Sequence, residues 1–142
     1  MSEKLCTLRT KGGGGGKYTE TSLWTNSASS STFAAQDVSL SESMANFDFL
    51  KIKVAPNTTS TSGQVFTDII IVSELQRTQS ATQEGVRDRF ILGLARVTYD
   101  YERSYYYVSN TSIHFNVAVQ SGTSTTANGR IIPLEIVGCK FR

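Results

Sequence analysis

Few residues in this chain are of types that do chemistry, and their spacing does not assemble a reaction centre. The single histidine, His114, lies in Thr-Ser-Ile-His-Phe-Asn-Val, where strict alternation puts it on the polar side of a strand. Nucleophilic catalysis needs a nucleophile, a base within reach and a group that orients the base. No Gly-x-Ser-x-Gly elbow is present, so His114 reads as an exposed or interface imidazole in preference to a catalytic base. The carboxylates from Asp37 to Glu135 follow no repeated spacing, and the facing acid pair of a glycoside hydrolase is not signalled. Asp68 is the unusual one, because Val-Phe-Thr-Asp-Ile-Ile-Ile-Val surrounds it with apolar residues. Its plain reading is a hydrogen-bonded or ion-paired carboxylate near a strand bend, and its sharper reading is an active-site acid. Cys6 and Cys139 sit near opposite ends, form no CxxC pair and find only one distant histidine, so no zinc spacing exists. In a reducing compartment they read as free thiols. Gly12 through Gly16 are not a phosphate loop: no apolar strand precedes them, and Lys17-Tyr18 stands where Lys-Thr would be needed. Neither a cofactor nor a metal is expected, and the chain reads as a non-enzyme.

Aromatic residues are more suggestive. Tyr99, Tyr101, Tyr105, Tyr106 and Tyr107 cluster with Arg96 and Arg103. Rings beside guanidinium groups stack on sugars and bases, and the phenols add hydrogen bonds. Alternation turns about half of those rings inward, however, and tyrosine is enriched at protein contacts generally. Core or oligomer interface is the favoured reading. Trp24, Phe47, Phe49, Tyr101, Tyr105, Tyr107 and Arg103 are the candidate oligomer or ligand contacts.

Positioning these residues falls to strands. The chain has 142 residues, 39% hydrophobic and 18% charged, with two prolines, and about a quarter of it is Ser or Thr. That mixture favours one domain of strands and turns. A net charge of +2 is too small to argue for nucleic acid or an anionic membrane surface. No apolar run approaches the roughly 20 residues that span a bilayer as a helix, and no apolar signal core follows Met1. Residues 1–17 read as a flexible, basic, glycine-rich arm, and residues 18–142 as the domain. Expected strands begin near Leu23, Phe33, Phe47, Val65, Phe90, Tyr105, Thr111 and Ile131. Leu50, Ile52 and Val54 should face one side, which leaves Phe47 and Phe49 on the lysine side unless a bulge resets the register or that face is covered. The run 65–72 should be buried on both faces. Residues 73–89 read as a long exposed loop with a helical turn at 74–79. Along 111–119, Ile113, Phe115, Val117 and Val119 should point inward, with His114, Asn116 and Ala118 outward. Pro133 belongs at an edge or a bulge. Seven or eight strands at these spacings predict an all-β, antiparallel, jelly-roll-like sandwich.

Two segments carry a resemblance. Leu23-Trp24-Thr25-Asn26-Ser27, followed by Phe33-Ala34-Ala35-Gln36-Asp37-Val38-Ser39-Leu40, resembles the opening of a small β-domain recurrent in bacteriophage structural proteins. There a W-T-N-x-S turn leads into an F-A-A-Q-x-[VI]-x-L strand. Arg130-Ile131-Ile132-Pro133-Leu134-Glu135-Ile136-Val137-Gly138 resembles that domain's closing I-P-L-x-I-x-G strand, and Phe47-Asp48-Phe49-Leu50-Lys51-Ile52 its aromatic-led middle. The similarity runs from Leu23 to the C-terminus, and its motifs are structural. It implies a virion component of the tail-fibre, head-fibre or capsid-decoration kind, commonly trimeric, assembled in the host cytoplasm. The expected partners are further copies of the chain, other virion proteins through the arm, and the host cell surface. The rival class is a carbohydrate-binding module that recognises host glycans through Trp24, Tyr101, Tyr105 and Tyr107. A glycan-degrading enzyme is the weaker third, since no acid pair is signalled.

Overall fold

The structure, a computed structural model, describes residues 17–58, 65–78, 90–94 and 100–142. They form eight strands in two antiparallel four-stranded sheets. The strands are β1 (Tyr18–Thr25), β2 (Gln36–Ser39), β3 (Phe49–Asn57), β4 (Phe66–Ile71), β5 (Phe90–Leu94), β6 (Tyr101–Ser109), β7 (Ser112–Gln120) and β8 (Arg130–Phe141). A 3₁₀ turn, Met44–Asn46, precedes β3, and a single helical turn, α1 (Val72–Leu75), follows β4. One sheet has the order β1-β8-β3-β4 and the other β2-β7-β6-β5. The all-β sandwich is therefore present. The β1–β8 and β2–β7 pairs wrap as in a jelly roll, while β3–β4 and β5–β6–β7 are plain hairpin neighbours. The glycine-rich arm lies outside the described residues.

Between the sheets lies a core that includes Leu23, Leu50, Ile52, Val54, Ile113, Phe115 and Ile136. Full burial of each such side chain contributes about 1.5–3 kcal/mol. Leu50, Ile52 and Val54 do face inward together, as alternation requires. Phe47 and Phe49 resolve their parity conflict in two different ways. Phe47 lies before the strand begins and turns into the core, against Gly138. Phe49 stays on the lysine side, where the rings of Tyr18 (5.4 Å) and Phe141 (5.5 Å) cover it.

Several expectations give way. β1 begins at Tyr18, five residues early, because Thr and Ser suit its exposed positions. β2 is only four residues long, and Phe33 lies before it, held by Asn128 (N–H to O, 3.0 Å). β3 continues through Pro56 to Asn57. The helical turn starts at Val72, with Leu75 buried beside it and Thr78 buried just after it; the rest of the expected loop, 79–89, is outside the described residues. β4 is not buried on both faces: Ile69 is 50% and Ile71 40% exposed. Pro133 lies in β8, an interior strand, so the edge alternative fails and the bulge one holds. Lys53 pairs with Glu135 and Val54 with Pro133, which leaves Leu134 as the extra residue. A second bulge flips the end of β7. Arg103 pairs with Ala118 and Tyr105 with Phe115, so Asn116 and Val117 together oppose Ser104. Beyond it Ala118 is buried and Val117 is 36% exposed, the reverse of simple alternation.

Antiparallel pairing brings the last residues of β1, β3, β5 and β7 and the first residues of β2, β4, β6 and β8 to one end of the sandwich. Backbone bonds tie the described parts there, from Thr58 N to Gly129 O (3.2 Å) and from Ser121 N to Asp100 O (2.9 Å).

Candidate functional site

The seven candidate contact residues do not form one surface. Tyr101, Arg103, Tyr105 and Tyr107 alternate along β6 onto the same, inner side. Arg103 and Tyr105 are fully buried, as is Phe49, and Phe47 is nearly so. Arg103 and Tyr105 face the space between the sheets and are corrected to interior residues of the protomer, whereas Phe47 and Phe49, though little exposed, line a groove on the outer sheet face. Trp24 is half-buried in an aromatic stack with Phe33 (6.0 Å) and Phe115 (6.4 Å). Tyr101 and Tyr107 are half-buried near opposite ends of β6, about 20 Å apart along an extended strand. The aromatic platform that a glycan-binding face would need is therefore not assembled from these residues. Tyr106 is the ring that points outward, and it stacks on His114 at 4.9 Å.

Arg103 works as a tie between the sheets. Its guanidinium donates to three backbone carbonyls: Nε to Ile131 (2.7 Å), Nη1 to Asn116 (2.8 Å) and Nη2 to Arg130 (3.1 Å). It also lies 5.2 Å from the Phe33 ring centroid. Burial pushes its pKa down to about 10, which leaves it charged at neutral pH. The carbonyls it holds are not ordinary. Ile131 has φ of 50°, a left-handed conformation that costs a β-branched residue about 1–3 kcal/mol.

The outer face of the β1-β8-β3-β4 sheet divides into a charged part and an apolar part. In the charged part Lys51 donates to Glu20 and to the Tyr18 hydroxyl (2.7 Å). The Lys51 contact holds the Glu20 carboxyl below its usual range. Burial opposes the charge on Lys51, yet Glu20 and Tyr18 together raise its pKa above that of an ordinary lysine. Lys53 meets Glu135 at 3.5 Å, and Ser22 donates to the same carboxylate at 2.7 Å. Beside this network a groove of about 570 Å³ is walled by Phe49, Phe141, Ile69, Ile71 and Val72, with Asp48 and Gln76 at its polar margin. Ile69 and Ile71 make this concavity an exposed apolar patch.

Two further pairs of ionisable groups form elsewhere. His114 Nδ1 lies 2.6 Å from Asp37 Oδ1, joining the short edge strand β2 to β7. The outward position expected for His114 is its position. Asp68 accepts from the Tyr105 hydroxyl at 3.3 Å, which is the hydrogen-bonded reading of that carboxylate. Burial raises the pKa of Asp68 despite the bond from Tyr105. Burial, with the Asp68 charge, also raises that of Tyr105. Burial pushes the unpaired Cys139 thiol up to about 12. Among the described residues there is no group of three His, Cys, Asp or Glu side chains able to hold a metal. None of their helices is long and apolar enough to cross a membrane. Tyr106 and Asp37 figure in the sequence reading but, like the groove isoleucines, are not among the candidate contacts; strand parity is their signal, and it needs the strand pairing to be useful.

No protein-family model matches the sequence, and no curated protein matches it either.

Proposed function

We propose that this chain is a non-enzymatic structural β-domain of a bacteriophage virion, of the fibre or decoration type. It self-associates and is joined to other virion proteins through its N-terminal arm. The observation that carries the reading is how the residues behind the resemblance act on one another. In the opening turn, Asn26 gives its backbone N–H to Leu134 (2.8 Å) and its side-chain amide to Pro133 (2.9 Å), both in the closing motif. Trp24 pairs with Ile136 across the sheet, and the terminal Gly138 makes room for Phe47 of the middle motif. Three segments distant in sequence thus form one interlocked unit, which suits a shared architecture better than chance similarity of short strings.

Self-association draws support from the groove on the outer sheet face. Its isoleucines are uncovered in the single protomer, and Lys51 of the Lys51–Glu20 pair lies opposite Ile69 at its side. A second copy would bring apolar walls to apolar walls and charges of both signs to charges of both signs. The trimer number rests on the resemblance alone.

Immunogold labelling of gradient-purified phage particles that carry the gene tests the assignment. Label on the head or the tail is the expected result, and its position separates decoration from fibre. A chain confined to the soluble fraction of the lysate would refute the virion reading. Light scattering tests the self-association: the wild type should be oligomeric at micromolar concentration and the Ile69→Asp/Ile71→Asp variant monomeric.

A further inference from the structure

We propose that the shallow pocket at the loop end of the sandwich, walled by Arg130, Tyr101, Thr58 and Gly129, binds the carboxylate of an acidic saccharide. The inference deepens the displayed-domain reading by naming a ligand class, and it rests on that reading only for who presents the ligand.

Arg130 is the centre of the argument. Its guanidinium lies 4.9 Å from the Tyr101 ring centroid, a cation–π contact that restricts where the group sits. Among the described residues it makes no ion pair, whereas Lys51 and Lys53 on the sheet face are each matched to a glutamate. A half-buried, positioned guanidinium with its forked donors unspent is suited to a planar carboxylate.

The fold also holds this turn in an unusual way. The Arg130 carbonyl and the next one, of Ile131, both accept from the buried Arg103. Ile131 keeps a left-handed backbone that a glycine would adopt without strain. The Arg103 bonds fix the backbone from which the Arg130 side chain reaches Tyr101, and such strain recurs where ligands are clamped.

The rest of the pocket selects the ligand class. It has about 410 Å³, within the range of small-molecule sites, and it lies at the end of the sandwich where β3 finishes and β8 begins. Thr58 lines it beside the Tyr101 ring, and an aromatic face next to a threonine suits a sugar ring. A shallow hollow that sets one cation beside an aromatic ring suits an acidic sugar better than a purely apolar molecule.

The test is amide chemical-shift titration of the full chain with trigalacturonate, neutral maltotriose and inorganic phosphate. Trigalacturonate should shift Thr58, Tyr101, Gly129 and Arg130 saturably, with maltotriose and phosphate each about tenfold weaker or more. Arg130→Gln should weaken trigalacturonate by about the same factor at an unchanged melting temperature, because Arg103 uses only the backbone of residue 130. Arg130→Lys should recover part of the loss, since a point charge replaces the fork. Equal affinity for phosphate would reduce the pocket to a bare anion site and overturn the proposal. Shifts mapping elsewhere, no saturable shift, or Arg130→Gln binding like wild type would overturn it too. These failures are separable from failure of the virion reading: a chain present in particles but blind to uronate sinks only the pocket. A chain that binds uronate but is absent from particles sinks only the virion assignment.

Discussion

Replacing Gly138 by alanine should destabilise the protein for a reason that a second substitution can reverse. A Cβ at residue 138 would stand 2.7–2.8 Å from three carbons of the Phe47 ring, against an ordinary carbon–carbon contact of about 3.5–4.0 Å. The ring must retreat by about 1 Å, and it has little room because Phe47 is packed into the core cluster. Overpacking of this kind costs about 1–3 kcal/mol. Against it, alanine restricts the unfolded chain and returns about 0.4–1 kcal/mol where the backbone is compatible. Gly138 lies in regular β8 and is not among the positive-φ glycines, so that gain is available. The net expectation is a loss centred on about 1.3 kcal/mol, a fall in melting temperature of about 4 °C for a chain of this size. In a Phe47→Leu background the obstructing ring is gone, and Gly138→Ala should become neutral or stabilising by up to about 1 kcal/mol. Urea denaturation of the four proteins in this cycle gives both numbers. A Gly138→Ala protein as stable as wild type, or one equally damaged in both backgrounds, would refute the contact with Phe47 as the reason for glycine here.

Other expectations concern titration, thiols and the arm. Burial raises the pKa of Asp68 in the folded state, so its contribution to stability is complete below the unfolded carboxylate pKa and is lost as pH rises through the folded one. Asp68→Asn should therefore gain on wild type between pH 3 and pH 7 in denaturant midpoint; a constant difference contradicts the buried-carboxylate account. Cys139 is fully buried with its pKa pushed up to about 12, so a thiol reagent at pH 8 should modify Cys6 alone in the folded chain and both cysteines in urea. Modification of neither thiol before reduction would instead indicate a Cys6–Cys139 disulfide. Deleting residues 1–16 should leave the melting temperature unchanged and abolish incorporation into particles, since five glycines transmit little packing energy. A large drop in melting temperature would make the arm part of the core.

What could be read in advance was the part of the fold that period-two patterning specifies. Leu50, Ile52 and Val54 on β3 and Ile113 and Phe115 on β7 were assigned to the core by alternation, and they are there. Alternation failed where one residue was inserted. The bulge at Asn116–Val117 inverts Val117 and Ala118, and nothing in Phe-Asn-Val-Ala-Val announces it. β4 misled for a different reason: three consecutive isoleucines look like a strand covered on both sides, but the outer two face the open groove. Arg103 is the most instructive case. It shares parity with Tyr101, Tyr105 and Tyr107, so its inward direction was visible. The general rarity of fully buried arginine argued the other way. That rule fails here because of demands made elsewhere in the chain. The bulge on β7 turns the Asn116 carbonyl off its ladder, and the left-handed Ile131 does the same to the start of β8, so both carbonyls need donors away from water. One guanidinium meets both and the Arg130 carbonyl besides. Its sequence position is intelligible only once β6, β7 and β8 are brought together. The Arg130–Tyr101 contact that it underpins joins residues 29 positions apart, and no local signal in either segment could have paired them.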